Sequence, residues 1–144
     1  DAVATAAAPT LESLTITHCA VPAAGVARIA ACTQLRSLAL VSNTSGQVRD
    51  DNVIPVLQAL PLLRELDLSS NQGKITDATL EVISKHLPHL RVLRLARLGG
   101  GISERGVSAV ARGCPELEVI NLMWGKHSVT DAAVEAIAEH CPRL

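Results

Sequence analysis

Residues 60–71 read LPLLRELDLSSN, and residues 87–98 repeat the pattern as LPHLRVLRLARL. In each stretch a proline follows the first leucine, and an L-x-x-L-x-L motif comes after the proline. The last two leucines of the motif are two residues apart, and this spacing is the period of a β-strand. The first leucine of the motif recurs along the chain at Leu11, Leu35, Leu63, Leu90, Leu117 and Leu144. The spacings are 24, 28, 27, 27 and 27 residues, so one structural unit is predicted to repeat.

The second half of each later unit has helical spacing instead. Residues 75–87, 102–114 and 129–141 carry apolar residues that fall on one face of a helix. The predicted buried faces are Leu80, Ile83 and Leu87; Val107, Val110 and Cys114; and Val134, Ile137 and Cys141.

The predicted helices have clear start signals. Thr76, Ser103 and Thr130 are predicted N-caps, because a side-chain oxygen there accepts a hydrogen bond from a free backbone amide. An acidic residue follows each of them, in the first turn where the helix dipole favours negative charge. These residues are Asp77, Glu104 and Asp131. Prolines at 61, 88, 115 and 142 predict the loops that return to the next strand.

A strand, a helix and a parallel strand, repeated, predict an α/β fold. The arrangement is a right-handed βα solenoid with parallel strands on its concave face and helices on its convex face. Residues 1–8 are predicted to be an Ala-rich leader or linker, and residues 9–144 the repeat domain. About five repeats start near residues 11, 35, 63, 90 and 117, with a truncated sixth at 142.

Residues 114–141 meet almost fully the pattern C-P-x-L-x-x-L-x-L … [IV]-[TS]-[DE]-x-x-[VL]-x-x-[IV]-A-x-x-C. This pattern resembles leucine-rich repeats of the cysteine-containing subtype, similar to those that follow the F-box in substrate receptors of ubiquitin ligases. The resemblance covers residues 9–144 and is weakest in the first unit, where Val21, Pro22 and Ala23 replace the [IV]-[TS]-[DE] triplet. In the second unit Arg49 stands where Thr or Ser is expected. The resemblance implies a rigid surface for recognition of another protein.

Composition restricts the classes of partner. The chain of 144 residues has a net charge of −1, one Trp and no Phe or Tyr. Because it lacks an overall positive charge and stacking aromatic residues, a nucleic-acid partner is not expected. No stretch reaches the roughly 18 to 20 apolar residues of a membrane-spanning helix, so membrane insertion is not expected either. We expect an intracellular, cytoplasmic protein, with an organelle or the cilium as alternatives.

The four cysteines are predicted to be structural. Cys32, Cys114 and Cys141 occupy a repeat position that holds Leu60 and Leu87 in the other units, which indicates a buried apolar position. Their spacing matches no zinc module, so we expect no metal, no cofactor and free thiols in a reducing compartment.

Cys19 shares its repeat position with Asn43 and Asn71, and the family resemblance implies that its side chain turns inward there and satisfies backbone groups in the loop after the strand.

The histidines do not predict catalysis. His86 and His140 fall near helix C-termini, where a cation complements the dipole. His18, His89 and His127 are placed near loops with no evident carboxylate or cysteine partner. The run Gly99–Gly101 lacks the Lys-Ser/Thr of a phosphate-binding loop and is interpreted as a flexible loop. No catalytic residue is predicted, and we expect no enzyme activity in this chain.

The residues between the strand leucines are predicted to face the concave surface and to bind a partner protein. The candidates concentrated towards the C-terminal units are Asp67, Arg94, Arg97, Asn121, Met123 and Trp124. Trp and Arg are enriched among residues that dominate binding energy.

Two alternatives stay open for these candidates. Trp124 either anchors a partner or packs over residues 125–129 or against a further repeat. Arg94 and Arg97, with Arg91, either receive an acidic or phosphorylated segment, or Arg94 pairs with Asp67 on the neighbouring strand.

The sequence therefore predicts a protein-binding module without catalysis, part of a larger chain or complex. The family resemblance favours the substrate-recognition part of an F-box ubiquitin ligase. The alternative is a structural scaffold subunit of a large eukaryotic assembly, such as a ciliary or mitochondrial complex. A third possibility is an accessory domain of an enzyme whose catalytic domain lies outside this sequence. Apolar edges are expected at both ends of the solenoid, near Leu11 and Leu144.

Overall fold

The computed structural model describes residues 10–43, 45–71, 74–125 and 129–144. The leader predicted at residues 1–8 lies outside the described residues. Five parallel strands form one sheet in the order β1-β2-β3-β4-β5. Their bounds are β1 Ser13–Thr17, β2 Ser37–Val41, β3 Glu65–Asp67, β4 Val92–Arg94 and β5 Val119–Asn121.

Helices alternate with the strands along the described chain. Their bounds are α1 Ala23–Arg28, α2 Asp50–Ala59, α3 Asp77–His86, α4 Glu104–Gly113 and α5 Asp131–His140. Each helix packs against the next one, and buried residues of the helices and the strands belong to one core cluster. This is the predicted α/β solenoid, with parallel strands on the concave face and helices on the convex face. In the described ranges no helix is long and apolar enough to cross a bilayer.

The core is a ladder of aliphatic residues that follows from the repeat. The middle residues of the strands lie in register from one strand to the next: Leu14, Leu38, Leu66, Leu93 and Ile120. The ladder is fully buried in the three inner strands and only half-buried in β1 and β5, because those strands have one neighbour each in the described chain. Within the described residues, β1 and β5 thus leave part of the ladder exposed, and Leu144 is 52% exposed.

The predicted helix starts are confirmed. The hydroxyl oxygens of Thr76, Ser103 and Thr130 accept hydrogen bonds from backbone amides of the first turn. Arg49, which replaces Thr or Ser in the second unit, stands before α2 without a side-chain cap. The first unit departs furthest from the pattern, since α1 spans only six residues and a short 3-10 turn follows it.

The buried faces predicted for α3 and α4 are confirmed, but the prediction for α5 is wrong at Val134. Its side chain is 52% exposed, whereas Val107, one repeat earlier, is fully buried. No described helix covers this side of α5, which instead buries Ala133 and Ala136 on the side that faces α4.

Three cysteines, Cys32, Cys114 and Cys141, are buried as predicted, and all four thiols are free. The inward orientation that the resemblance implied for Cys19 is wrong, because this residue is exposed and its thiol donates to the carbonyl of Thr17 at 3.1 Å. At the equivalent position the buried amide of Asn71 donates to the carbonyl of Leu40 in the preceding unit. Cys19 has no preceding unit in the described chain.

The flexible loop expected at Gly99–Gly101 is a turn of 3-10 helix. Gly99 has a φ of +74°, and a Cβ atom on Gly101 would lie 2.5 Å from the carbonyl oxygen of Ile75. The two glycines are required by a left-handed backbone and by a close approach to the preceding unit.

Candidate protein-binding surface

The outward side chains of the sheet belong to the strand positions between the buried leucines. Asp67, Arg94 and Asn121 are partners in register on β3, β4 and β5, so their side chains start from neighbouring positions on the concave face. All three are partly exposed. The sheet thus brings these three predicted site residues together.

Two of them also hold the backbone that follows their strands. The carboxylate of Asp67 accepts a hydrogen bond from the amide of Ser69 at 2.9 Å, and the side-chain oxygen of Asn121 accepts one from the amide of Met123 at 3.0 Å. Within the described residues no ion pair joins Asp67 to Arg94. The Asp67 carboxylate is therefore engaged by its own chain, and the Arg94 charge is left available on the concave face.

The basic patch is smaller than the sequence suggested. Arg91 lies just before β4, at the N-terminal ends of the strands, whereas Arg97 lies beyond the C-terminal end of β4. The Nε atom of Arg91 is 3.5 Å from Glu116 and 3.9 Å from Glu118. It therefore does not extend the patch. Neither Arg94 nor Arg97 has an acidic partner among the described residues.

A column of residues continues the concave face beyond the strand ends. Its members directly follow β1 and β2 and lie three residues after the ends of β3, β4 and β5. We call them the strand-end column: His18, Ser42, Ser70, Arg97 and Trp124. All five have a positive φ, between 53° and 66°, although none is glycine. The left-handed backbone turns the chain sharply at this point in every unit.

Hydrogen bonds between units fix the column. The amide of Ser70 donates to the carbonyl of Ala96 at 2.8 Å, and the amide of Arg97 donates to the carbonyl of Met123 at 2.9 Å. Neighbouring members are therefore separated by one inter-strand spacing, about 4.8 Å. Arg97 and Trp124 are adjacent in this column.

The largest exposed apolar side chains of the concave side belong to the fifth unit. Trp124 is 68% exposed and Met123 is 59% exposed. Such exposure is costly in water and is typical of a surface that is covered by a partner. The alternative, packing of Trp124 over residues 125–129, concerns a loop whose residues 126–128 lie outside the described residues.

A cavity of about 330 Å³ opens at the ends of β2 and β3, beside the strand-end column. The described residues that line this rim cavity are Ser42, Asn43, Gly46, Val48, Ser70, Asn71 and Lys74. Lys74, which follows β3 by seven residues, was not predicted from the sequence to take part in a site. The sequence signal for Lys74 is weak, because Lys74 and the two serines come together only in the folded chain.

An ionic cluster lies near the N-terminal ends of the last two strands. His89 Nδ1 is 2.8 Å from Glu116 Oε1, so the expectation that His89 lacks a carboxylate partner is wrong. Arg143 lies 3.9 Å from the same carboxylate. The hydrogen bond with His89 and the nearby cationic groups hold the pKa of the Glu116 carboxyl below its usual value. His127 lies outside the described residues, and in the described ranges no three His, Cys, Asp or Glu residues form a group that could hold a metal ion.

The repeated strand and helix units have the fold of a leucine-rich-repeat solenoid. The Leucine Rich repeat family model matches residues 59–84. The chain is similar in fold to the C-terminal domain of tropomodulin from Caenorhabditis elegans, with 12% identity over 94% of this chain and 84% of that one, at a TM-score of 0.60. It also matches a chain of the yeast Rad7 and Elc1 complex, with 15% identity over 96% of this chain and 49% of that one, at a TM-score of 0.49. No curated protein matches.

Proposed function

We propose that this chain is a protein-binding module without catalytic activity, and that its concave face is the binding surface. The binding residues in this proposal are Asp67, Arg94, Arg97, Asn121, Met123 and Trp124. The observation that carries the proposal is the combination, on two adjacent units, of exposed Trp124 and Met123 with Arg94 and Arg97, which have no acidic partner among the described residues. Trp and Arg are among the residue types that are enriched in binding hot spots.

Within this class, we propose that the chain is the substrate-recognition part of an F-box ubiquitin ligase. The support is the cysteine-containing repeat pattern of residues 114–141. Cys114 and Cys141, the two cysteines of that pattern, are buried. Their thiols are 3.4 Å and 3.8 Å from carbonyl oxygens of the preceding units. The binding residues would then recognise the substrate.

A scaffold subunit of a large assembly is the second candidate. It is favoured by the apolar side chains that the last unit exposes besides Met123 and Trp124, namely Val119, Val129, Val134 and Leu144. Permanent interfaces are more apolar than those of exchanging partners. In this case the concave face and the end of the solenoid would be covered together.

Affinity purification of the full-length protein from its own cells, followed by mass spectrometry, separates the two candidates. Recovery of an F-box adaptor and a cullin supports the ligase. A stoichiometric set of structural proteins without ligase components supports the scaffold and contradicts the ligase. Recovery of no stable partner at near-native protein levels contradicts both.

A further inference from the structure

The rim cavity has the chemistry of an anion site. The hydroxyl groups of Ser42 and Ser70 and the ammonium group of Lys74 line it. None of these three groups has a side-chain hydrogen bond or an ion pair within the described part of the chain. The described lining contains no acidic residue, so its only formal charge is positive.

The amide groups beneath the cavity are already used. The side-chain nitrogen of Asn71 donates to the carbonyls of Leu40 at 2.7 Å and Leu68 at 2.8 Å, and its oxygen accepts from the amide of Asn43 at 3.1 Å. Asn71 is 4% exposed. This network fixes the floor of the cavity, and the two serine hydroxyls and the Lys74 ammonium are among the groups that remain able to bind a ligand.

The rim cavity is continuous with the proposed binding surface. Ser42 and Ser70 are members of the strand-end column, and Arg97 and Trp124 follow them in the same column. From Ser42 to Trp124 the column crosses three inter-strand spacings, about 14 Å, which an extended segment of about four residues spans. One partner segment can therefore contact the cavity and the concave residues at once.

Lys74 and Arg97 are the charged side chains along this path, and neither has an acidic partner in the described part of the chain. Lys74 lies at the cavity and Arg97 lies one unit further along the column, with Trp124 beyond it. A single lysine in the cavity matches the single charge of a carboxylate more closely than the charge of nearly −2 of a phosphoryl group. Lysine also acts as a point charge and lacks the planar fork with which arginine binds phosphate.

Resting on the proposed function, we propose that the partner contributes an extended acidic peptide segment that runs along the strand-end column. A carboxylate of this segment enters the rim cavity to bind Lys74 and the hydroxyls of Ser42 and Ser70. A second carboxylate pairs with Arg97, and an apolar side chain packs on Trp124. The site thus favours partners whose segment carries negative charge.

Selection of a displayed library of random 12-residue peptides on the full-length protein tests this proposal. We expect enriched peptides with at least two acidic residues and one large apolar residue. The affinity of a synthetic enriched peptide is expected to fall about tenfold with Lys74→Glu and with Arg97→Glu. Lys74→Gln should give a smaller loss. The convex-face variant Lys85→Glu, which makes the same charge change, should keep the affinity within about twofold.

The outcomes separate this proposal from the proposed function. Peptides that lose affinity with Trp124→Ala or Arg94→Glu, yet bind Lys74→Glu normally, overturn the acidic-segment proposal and leave the concave surface intact. Enrichment of neutral or basic peptides has the same consequence. Much tighter binding of a phosphoserine form of the peptide overturns the assignment to carboxylates. Peptides that are insensitive to both sets of variants, or no enriched peptide at all, contradict both proposals.

Discussion

The carboxylate of Asp77 accepts two hydrogen bonds from Ser103 in the next unit, one from the backbone amide at 2.8 Å and one from the hydroxyl at 2.5 Å. Asp50 makes the same pair of contacts with Thr76, at 3.0 Å and 2.5 Å. An acidic residue in the first turn of one helix therefore holds the cap of the next helix. Because a solenoid is stabilised mainly by contacts between neighbouring units, these bonds are expected to contribute to its stability.

Removal of the Asp77 carboxylate tests this contribution. Asp77→Ala is expected to lower the free energy of unfolding by about 2 kcal/mol, because hydrogen bonds to a charged acceptor are lost. Asp131→Ala is the matched control: it removes a first-turn carboxylate that is exposed and has no partner in the described chain. Its expected cost is about 0.5 kcal/mol, the helix-dipole contribution alone. Urea denaturation of both variants measures the difference, and equal losses would show that the bond between units contributes nothing.

Gly106 is expected to tolerate no side chain although it lies within helix α4. A Cβ atom there would be 2.3 Å from the Asp77 carboxylate and 2.9 Å from a methyl group of Leu80. Gly106→Ala is therefore expected to destabilise the protein by about 1–3 kcal/mol, despite the better helix propensity of alanine.

Gly100→Ala is the control for Gly106→Ala, since a Cβ atom on Gly100 meets nothing within 4 Å. The penalty should also shrink when Gly106→Ala is combined with Asp77→Ala, because the clashing carboxylate is then absent. Additive losses in the double variant would contradict the steric account.

Trp124 is expected to matter for binding and not for stability. Its φ of +66° is unfavourable for any residue with a Cβ atom, and its ring is mostly exposed. Trp124→Gly should raise the free energy of unfolding by up to about 1 kcal/mol. Trp124→Ala keeps the unfavourable backbone and should leave stability nearly unchanged. Thermal unfolding compares the two variants, and a large loss of stability in either would identify Trp124 as a packing residue.

The thiols are expected to differ in reactivity. Burial raises the pKa of the Cys114 thiol to about 12, and it also raises the pKa of the Cys141 thiol. At pH 8 a native sample should therefore give one fast reaction with a disulfide reagent, at the exposed Cys19. Cys19→Ser should abolish that reaction, and denaturant should release three further thiols. Fast modification of more than one thiol in the native protein would contradict the packing of the cysteine positions.

Stability is expected to fall on acidification in part through Glu116. Its pKa is lowered in the folded protein, chiefly by the hydrogen bond with His89, so the folded state binds its proton less tightly than the unfolded state. The contribution is present above the usual pKa of 4.5 and is lost as the pH falls through the folded value. Glu116→Gln should flatten this part of the profile of unfolding free energy between pH 6 and pH 3, while Glu135→Gln on the convex face should not. Identical profiles for wild type and Glu116→Gln would contradict this contribution.

The fold was predictable because its determinants are local. Alternating leucines specify the strands, and the hydroxyl oxygens of Thr76, Ser103 and Thr130 specify helix starts by accepting from amides of their own first turn. Val134 was misplaced for the opposite reason, because its burial depends on a neighbouring helix. The same spacing of residues buries Val107 and exposes Val134.

The candidate surface was predictable only as a list of outward positions. Alternation along the strands placed Asp67, Arg94 and Asn121 on one face. It did not reveal that Asp67 bonds to its own turn or that Arg91 pairs with Glu116. The pair of His89 and Glu116, which are 27 residues apart, could have been found by comparing positions one repeat apart.

A comparison of two faces of the protein in cells tests whether the concave face binds a partner. The concave variant carries Arg94→Glu, Arg97→Glu and Trp124→Ala. The convex variant carries Lys85→Glu and Arg112→Glu. Both variants make the same charge change, and all five sites are exposed or half-exposed. Each is expressed at the wild-type level, and co-purifying proteins are quantified by mass spectrometry. We expect the concave variant to lose the wild-type partners and the convex variant to retain them. Full retention by the concave variant, with its folding verified, would contradict the claim that this face binds a partner.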